Sequence, residues 1–146
     1  MDSDLKQRIK VFLSGQSIAN VATVQKDRPH VSALEYVSDD LMVYVVSLPH
    51  TQKVANLAEN SAVAVAINGP GRRTDEITGV QLFGHAERID DPERYEQIKT
   101  LFFDKYLLDP SAHWFKERTI FYAITPERID FIDYSEGFGH KDTWTP

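Results

Sequence analysis

The stretch DRPHVSALEYVSDDLMVYVVSLPHTQKVANLAENSAVAVAIN, residues 27–68, decides the fold. Two runs rich in Val, Ala and Tyr, at 30–37 and 41–47, are divided by the turn-forming cluster SDD and preceded by KDRP. They read as antiparallel strands, with a similar run at 17–25 as their neighbour. Thr51 then heads a short helix, TQKVANLAEN, with Val54, Leu57 and Ala58 on one face. The run AVAVAIN that follows is too short for a buried helix and β-rich enough for a buried strand.

Upstream, Leu5, Ile9, Phe12 and Leu13 recur at helical spacing, with Asp2, Ser3 or Asp4 as cap and Gly15 as stop. Downstream, a Gly/Pro loop at 69–71 precedes the longer strand ITGVQLFGHAERI. Val80, Leu82, Gly84 and Ala86 fall on one face of it and Gln81, Phe83, His85 and Glu87 on the other. Asp91-Pro92-Glu93 is a strong helix start, and the helix it opens is expected to bury Tyr95, Ile98, Leu101, Phe102 and Tyr106. Two last strands, TIFYAIT and RIDFIDY, are expected to join tightly at Pro126 before the aromatic tail SEGFGHKDTW. Short strands with helices inserted between them predict an α+β fold, a six-stranded antiparallel barrel, since parallel βαβ units require a helix after nearly every strand.

The chain of 146 residues fits a single domain spanning 1–146. It has no cysteine, which excludes disulfides, a thiolate nucleophile and Cys-ligated metal, so any redox chemistry has to come from a bound cofactor. The N-terminal segment lacks the apolar run of a signal peptide and no stretch is long enough to span a membrane, so the expected location is the cytoplasm. With 22 acidic and 16 basic residues the net charge is −6, which opposes attraction to a nucleic acid backbone. The one basic cluster, Arg72-Arg73, is followed at once by Asp75 and Glu76 and reads as a solvated loop tip. The five histidines, His30, His50, His85, His113 and His140, show no HExxH and no metal-ligand spacing with carboxylates, so no metal is expected. Neither a Ser-His-Asp order nor a Gly-x-Ser-x-Gly elbow is present, which disfavours hydrolase chemistry.

Three segments in this order resemble the pyridoxamine 5'-phosphate oxidase-like family of FMN-binding split barrels: residues 27–68, the run GVQLFGHAERIDDPE with its Gly-x-Ala-Glu, and ITPERIDFIDYSEGFGHKDTW. The tail and the GVQLFG strand look closest to a poorly characterised bacterial branch. The resemblance implies a split barrel, a homodimer with FMN at the subunit interface, and an oxidoreductase acting on a small molecule. It also implies that Val31, Ser32, Ala33 and Leu34 run along the edge of the isoalloxazine ring, that Gln81 contacts the flavin, and that the tail with Trp144 reaches the partner's pocket. Each has a plainer reading: an ordinary barrel strand, a solvent-facing or interface glutamine, and aromatics (Trp114, Phe138, Trp144) packed on their own barrel.

Ser47, His50, Thr51 and Lys53 sit where a strand ends and a helix begins, a place whose free N–H groups suit a phosphate. Thr51 would offer its hydroxyl and Lys53 its charge; the alternative is a simple N-cap beside a lysine on an exposed helix. Where the family's better-known enzymes carry arginines, this chain has Ser32 and Gln52, which removes bidentate phosphate contacts. A non-catalytic module carrying haem on His50, His85 or His140, another cofactor, or none, is the rival reading.

Overall fold

The computed structural model describes residues 2–107 and 119–146; His113 and Trp114 lie outside them. Helix α1 (Asp2–Gly15) leads into β1 (Ile18–Gln25), β2 (Arg28–Asp39) and β3 (Met42–Ser47). Then come α2 (Gln52–Glu59), β4 (Ala62–Asn68), β5 (Thr78–Arg88), α3 (Pro92–Tyr106), β6 (Ile120–Asp133) and β7 (Lys141–Trp144). The KDRP turn is a tight hairpin in which Lys26 and Asp27 both take left-handed backbone, with φ of 50° and 62°. Asp91 caps α3 as its sequence announces, its carboxylate accepting the Arg94 N–H at 2.9 Å with Pro92 in the first turn.

All strand pairs are antiparallel, in the order β3-β2-β1-β4-β5-β6-β7, and an added β3–β6 pairing closes six strands into the α+β split barrel. Residues 120–124 of β6 pair with β3 and residues 129–132 with β7, while β5 runs along the other edge. Closure thereby satisfies edges that would otherwise invite aggregation.

The expectation of two last strands needs correcting. The segments 119–125 and 128–134 are one strand, not two, because Pro126 sits in a bulge opposite Gly84 and needs no N–H there. The extra residue, Glu127, shifts the parity of the strand: Ile120, Tyr122 and Ile124 face the main core before the bulge, and Ile129 and Phe131 after it. The aromatic tail adds a seventh strand, Lys141–Trp144, which the sequence reading did not mark.

The interior is filled by Val21, Tyr36, Val43, Leu82, Ile124 and Ile129, with Ile9 and Leu13 of α1 laid into it. A second cluster forms where α3 sets Ile98 and Phe102 against Phe121 and Ala123 on the outside of β6. The Phe102 and Phe121 rings stack with centroids 5.3 Å apart. Tyr95, Leu101 and Tyr106 border this cluster half-buried. The end of α3 is fastened by Lys105, whose ammonium donates to the carbonyls of Gln16 and Tyr36 and stands 4.0 Å above the Tyr36 ring. Burial lowers the Lys105 pKa to about 8 and raises that of Tyr106 to about 12.

Candidate functional site

Strand β3 ends at Ser47, and after four intervening residues α2 begins at Gln52, packed on β1 and β2 of the barrel. Thr51 occupies the N-cap position in extended backbone, yet its side chain makes no cap hydrogen bond. Its hydroxyl instead accepts from the Lys53 ammonium at 3.1 Å, and the same ammonium donates to Ser47 Oγ at 2.7 Å. Ser47 Oγ in turn donates a hydrogen bond to the Leu48 carbonyl at 2.9 Å. Lys53 is only 3% exposed, so the expectation of a lysine on an exposed helix is corrected. The reason is periodicity: α2 buries Lys53 and Asn56, while Val54 and Leu57 are half-buried at its flanks and Ala58 faces out.

Among the described residues, Lys53 has no carboxylate within 4.0 Å. Burial alone lowers its pKa, and a buried cation with hydroxyl partners and no counter-charge is an electrostatically unfinished group. Beside it, Asn56 (1% exposed) donates to Thr23 Oγ1 at 3.0 Å and accepts from Gln52 at 2.8 Å. Two further buried polar atoms, His30 Nδ1 and Ser32 Oγ, have no partner. A cleft of about 660 Å³ runs along this side of α2, lined by Gln25, Arg28, His30, Gln52 and Asn56 among others. The sequence reading missed Thr23, His30 and Asn56. The one available signal was that Asn56 lies three residues after Lys53, on the same face of a helix.

The other predicted residues are distributed as strand alternation requires. Val31 (65% exposed) and Ala33 face outward, while Ser32 and Leu34 point inward, Leu34 against the main core. Gln81 is exposed on the outer face of β5, level with Asp130 and Thr143. His50 is exposed, with no hydrogen-bond partner among the described residues, and is not drawn into the Ser47–Thr51–Lys53 cluster. Trp144 packs half-buried against its own chain's core.

His85 and His140 are engaged. His85 bridges Ser61 Oγ at 2.9 Å and Glu127 at 2.6 Å, a contact made possible by the bulge. His140 meets Glu136 at 3.2 Å and Asp142 at 3.4 Å, a grouping that spacing did not foretell and that the turn through Gly137 and Gly139 creates. The Arg8 guanidinium, 3.5 Å from Asp142, already brings positive charge there. Arg73 pairs with Asp75 and Glu76, as its place on a loop tip suggested.

The residues fit a phosphate at one point and lack help at two others. Lys53, Thr51 and the first N–H groups of α2 provide donors, and Ser32 and Gln52 provide none of the bidentate kind. Arg28, at the start of β2, lines the same cleft as Gln52 and supplies a guanidinium from a different position.

A closed six-stranded antiparallel barrel with three α-helices among the described residues and this strand-to-helix junction defines the split-barrel class. The sequence pattern of the pyridoxamine 5'-phosphate oxidase family matches residues 5–133, and the chain belongs to that family. It is similar to general stress protein 26 of Bacillus subtilis strain 168, with 25% identity over 137 residues covering 91% of each chain. Its fold is that of the general stress protein 26 crystal structure from Bacillus anthracis (TM-score 0.73, 22% identity, 97% of this chain and 98% of the other). A heme binding protein from Mycobacterium smegmatis shares the fold too (TM-score 0.71, 20% identity), with 96% of this chain matched to 56% of that one.

Proposed function

We propose that this protein is a cytoplasmic homodimer that binds FMN and acts as an oxidoreductase on a small molecule. The observation that carries this reading is the buried Lys53 at the head of α2, held toward Ser47 and Thr51 with no carboxylate partner among the described residues. Three donors on the ammonium and two hydroxyl acceptors leave one N–H for an anion. A phosphate there would neutralise a charge whose burial is otherwise unfavourable. Bound FMN supplies hydride transfer. This chain's residues bind and orient it: Lys53 and Thr51 at the phosphate, Arg28 and Gln52 along the cleft, and the outward residues Val31, Ala33 and Gln81 at the ring.

The outer face of the sheet supports the dimer. Ala33 of β2, Ala22 of β1 and Ala64 and Ala66 of β4 line the outer face of three neighbouring strands, rimmed by Ile18 (45% exposed), Val31 and Phe83 of β5 (40% exposed). Small side chains let a second copy approach closely, and a two-fold dimer is the commonest closed assembly.

A second reading, a cofactor carrier without turnover, is favoured by one feature: among the described residues, exposed His50 beside the junction has no partner, whereas the other two candidate haem histidines, His85 and His140, each contact a carboxylate. The absorption spectrum of the protein as purified separates the two, flavin bands against a Soret band. FMN titration beside riboflavin then tests the phosphate: tighter FMN binding supports the proposal, and equal affinities refute it.

A further inference from the structure

The outer face of β5, β6 and β7 carries a second charged constellation, away from α2. The strand registers set Gln81, Asp130 and Thr143 in one row and Phe83 with Arg128 in the next. Asp130 is 1% exposed although it lies on the outward side of the sheet, because neighbouring side chains cover it. Arg128 grips it through Nε at 3.1 Å and one terminal nitrogen at 2.9 Å, Thr143 donates at 2.7 Å, and the Lys141 ammonium stands 3.8 Å away. The guanidinium also lies 5.7 Å from the centre of the Phe83 ring.

This geometry fixes an arginine that would otherwise lose rotamer freedom on binding. Its other terminal nitrogen has no acceptor among the described residues. Arg128 and Lys141 are each half exposed, whereas the carboxylate is hidden beneath them, so what faces solvent here is cationic in a chain of net charge −6. Burial tends to raise the Asp130 pKa, but hydrogen bonds from Arg128 and Thr143 outweigh it and hold the group below the ordinary carboxylate range. The anchor therefore stays charged at neutral pH.

We propose that Arg128 and Lys141 form an oxyanion subsite that holds the carboxylate or phosphate of the small molecule brought against Gln81. Assigning that molecule as the flavin's reaction partner rests on the function proposed above; the anion binding itself does not. Asp130 and Thr143 are positioning residues, Phe83 supports the guanidinium, and one free N–H edge of Arg128 meets the anion with Lys141 adding charge. A neutral isostere gains neither contact.

The test is calorimetric titration with benzoate, phenyl phosphate and the neutral control benzamide, on the protein as purified and again after FMN addition. At least one of the two anions is expected to bind about tenfold or more tightly than benzamide, and Arg128→Gln to remove that preference while leaving FMN affinity unchanged. Should Arg128→Gln fail to fold because Asp130 is left buried and unpaired, Arg128→Gln combined with Asp130→Asn, and the exposed Lys141→Met alone, carry the test. Both are expected to weaken anion binding. Anion binding equal to that of benzamide, or unchanged in these variants, overturns the proposal, as does binding abolished by Lys53→Met and not by Arg128→Gln. Arg128-dependent anion binding in a protein that takes up no FMN would uphold the subsite and sink the flavin reading instead.

Discussion

Gly84 and Thr125 approach so closely that a Cβ on the glycine would lie 2.0 Å from the threonine's carbonyl oxygen. No side chain rotamer relieves that, because the obstacle is backbone. Gly84→Ala is therefore expected to destabilise the barrel by about 3 kcal/mol, the scale of core overpacking. Urea unfolding is the measurement; a loss below about 1 kcal/mol would show that the bulge can relax.

Lys53→Met separates ligand binding from folding. Removing the ammonium is expected to weaken FMN tenfold or more, as loss of a charge-assisted contact does. Apo stability should hold or rise, since methionine fills similar space without a buried charge. FMN titration and apo melting, each beside wild type, read the two effects; unchanged affinity would refute the phosphate role.

Lys105 makes a pH signature. Its folded pKa, about 8, lies below the ordinary lysine value, so the unfolded chain binds the extra proton between them. Stability from this group is least below pH 8 and grows as pH rises toward the unfolded pKa. Tyr36 and Tyr106 act oppositely: their raised pKa values preserve stability up to the ordinary tyrosine value and forfeit it above. Thermal melting should thus improve between pH 8 and about pH 10 and then decline. In Lys105→Met the improvement should shrink, and an identical profile would disprove the assignment.

The alanine face predicts a change of assembly without a change of fold. Ala64→Glu places a charge in the middle of it and should yield folded monomers, since one buried unpaired carboxylate per subunit opposes association. Sedimentation with circular dichroism checks both halves. A wild-type protein that is monomeric at micromolar concentration would remove the dimer altogether.

The barrel was legible because its signals are local. Alternation in 77–89 sorted Val80, Leu82 and Ala86 inward and Gln81, Phe83 and His85 outward, and Asp91-Pro92 marked α3 to the residue. Pro126 misled because proline usually ends a strand, and only the pairing across to Gly84 shows that it bends one. The KDTW strand was invisible because four residues carry too little pattern of their own. Lys53 was misplaced for a different reason: lysine is rarely buried, and its hydroxyl partner Ser47 comes from the preceding strand, across a loop whose path no periodicity encodes.

The β3–β6 pairing also governs time. It joins Val43 to Ile124, so nothing can close the barrel until the chain has been made well past α3, whereas the β1–β2 and β2–β3 hairpins can form as soon as they emerge. Through most of synthesis β3 stands as an open edge bearing Tyr44, Val45 and Val46, a template for pairing with a neighbouring nascent chain. Refolding from denaturant should accordingly be limited by closure, and the yield should fall with protein concentration before the folding rate does.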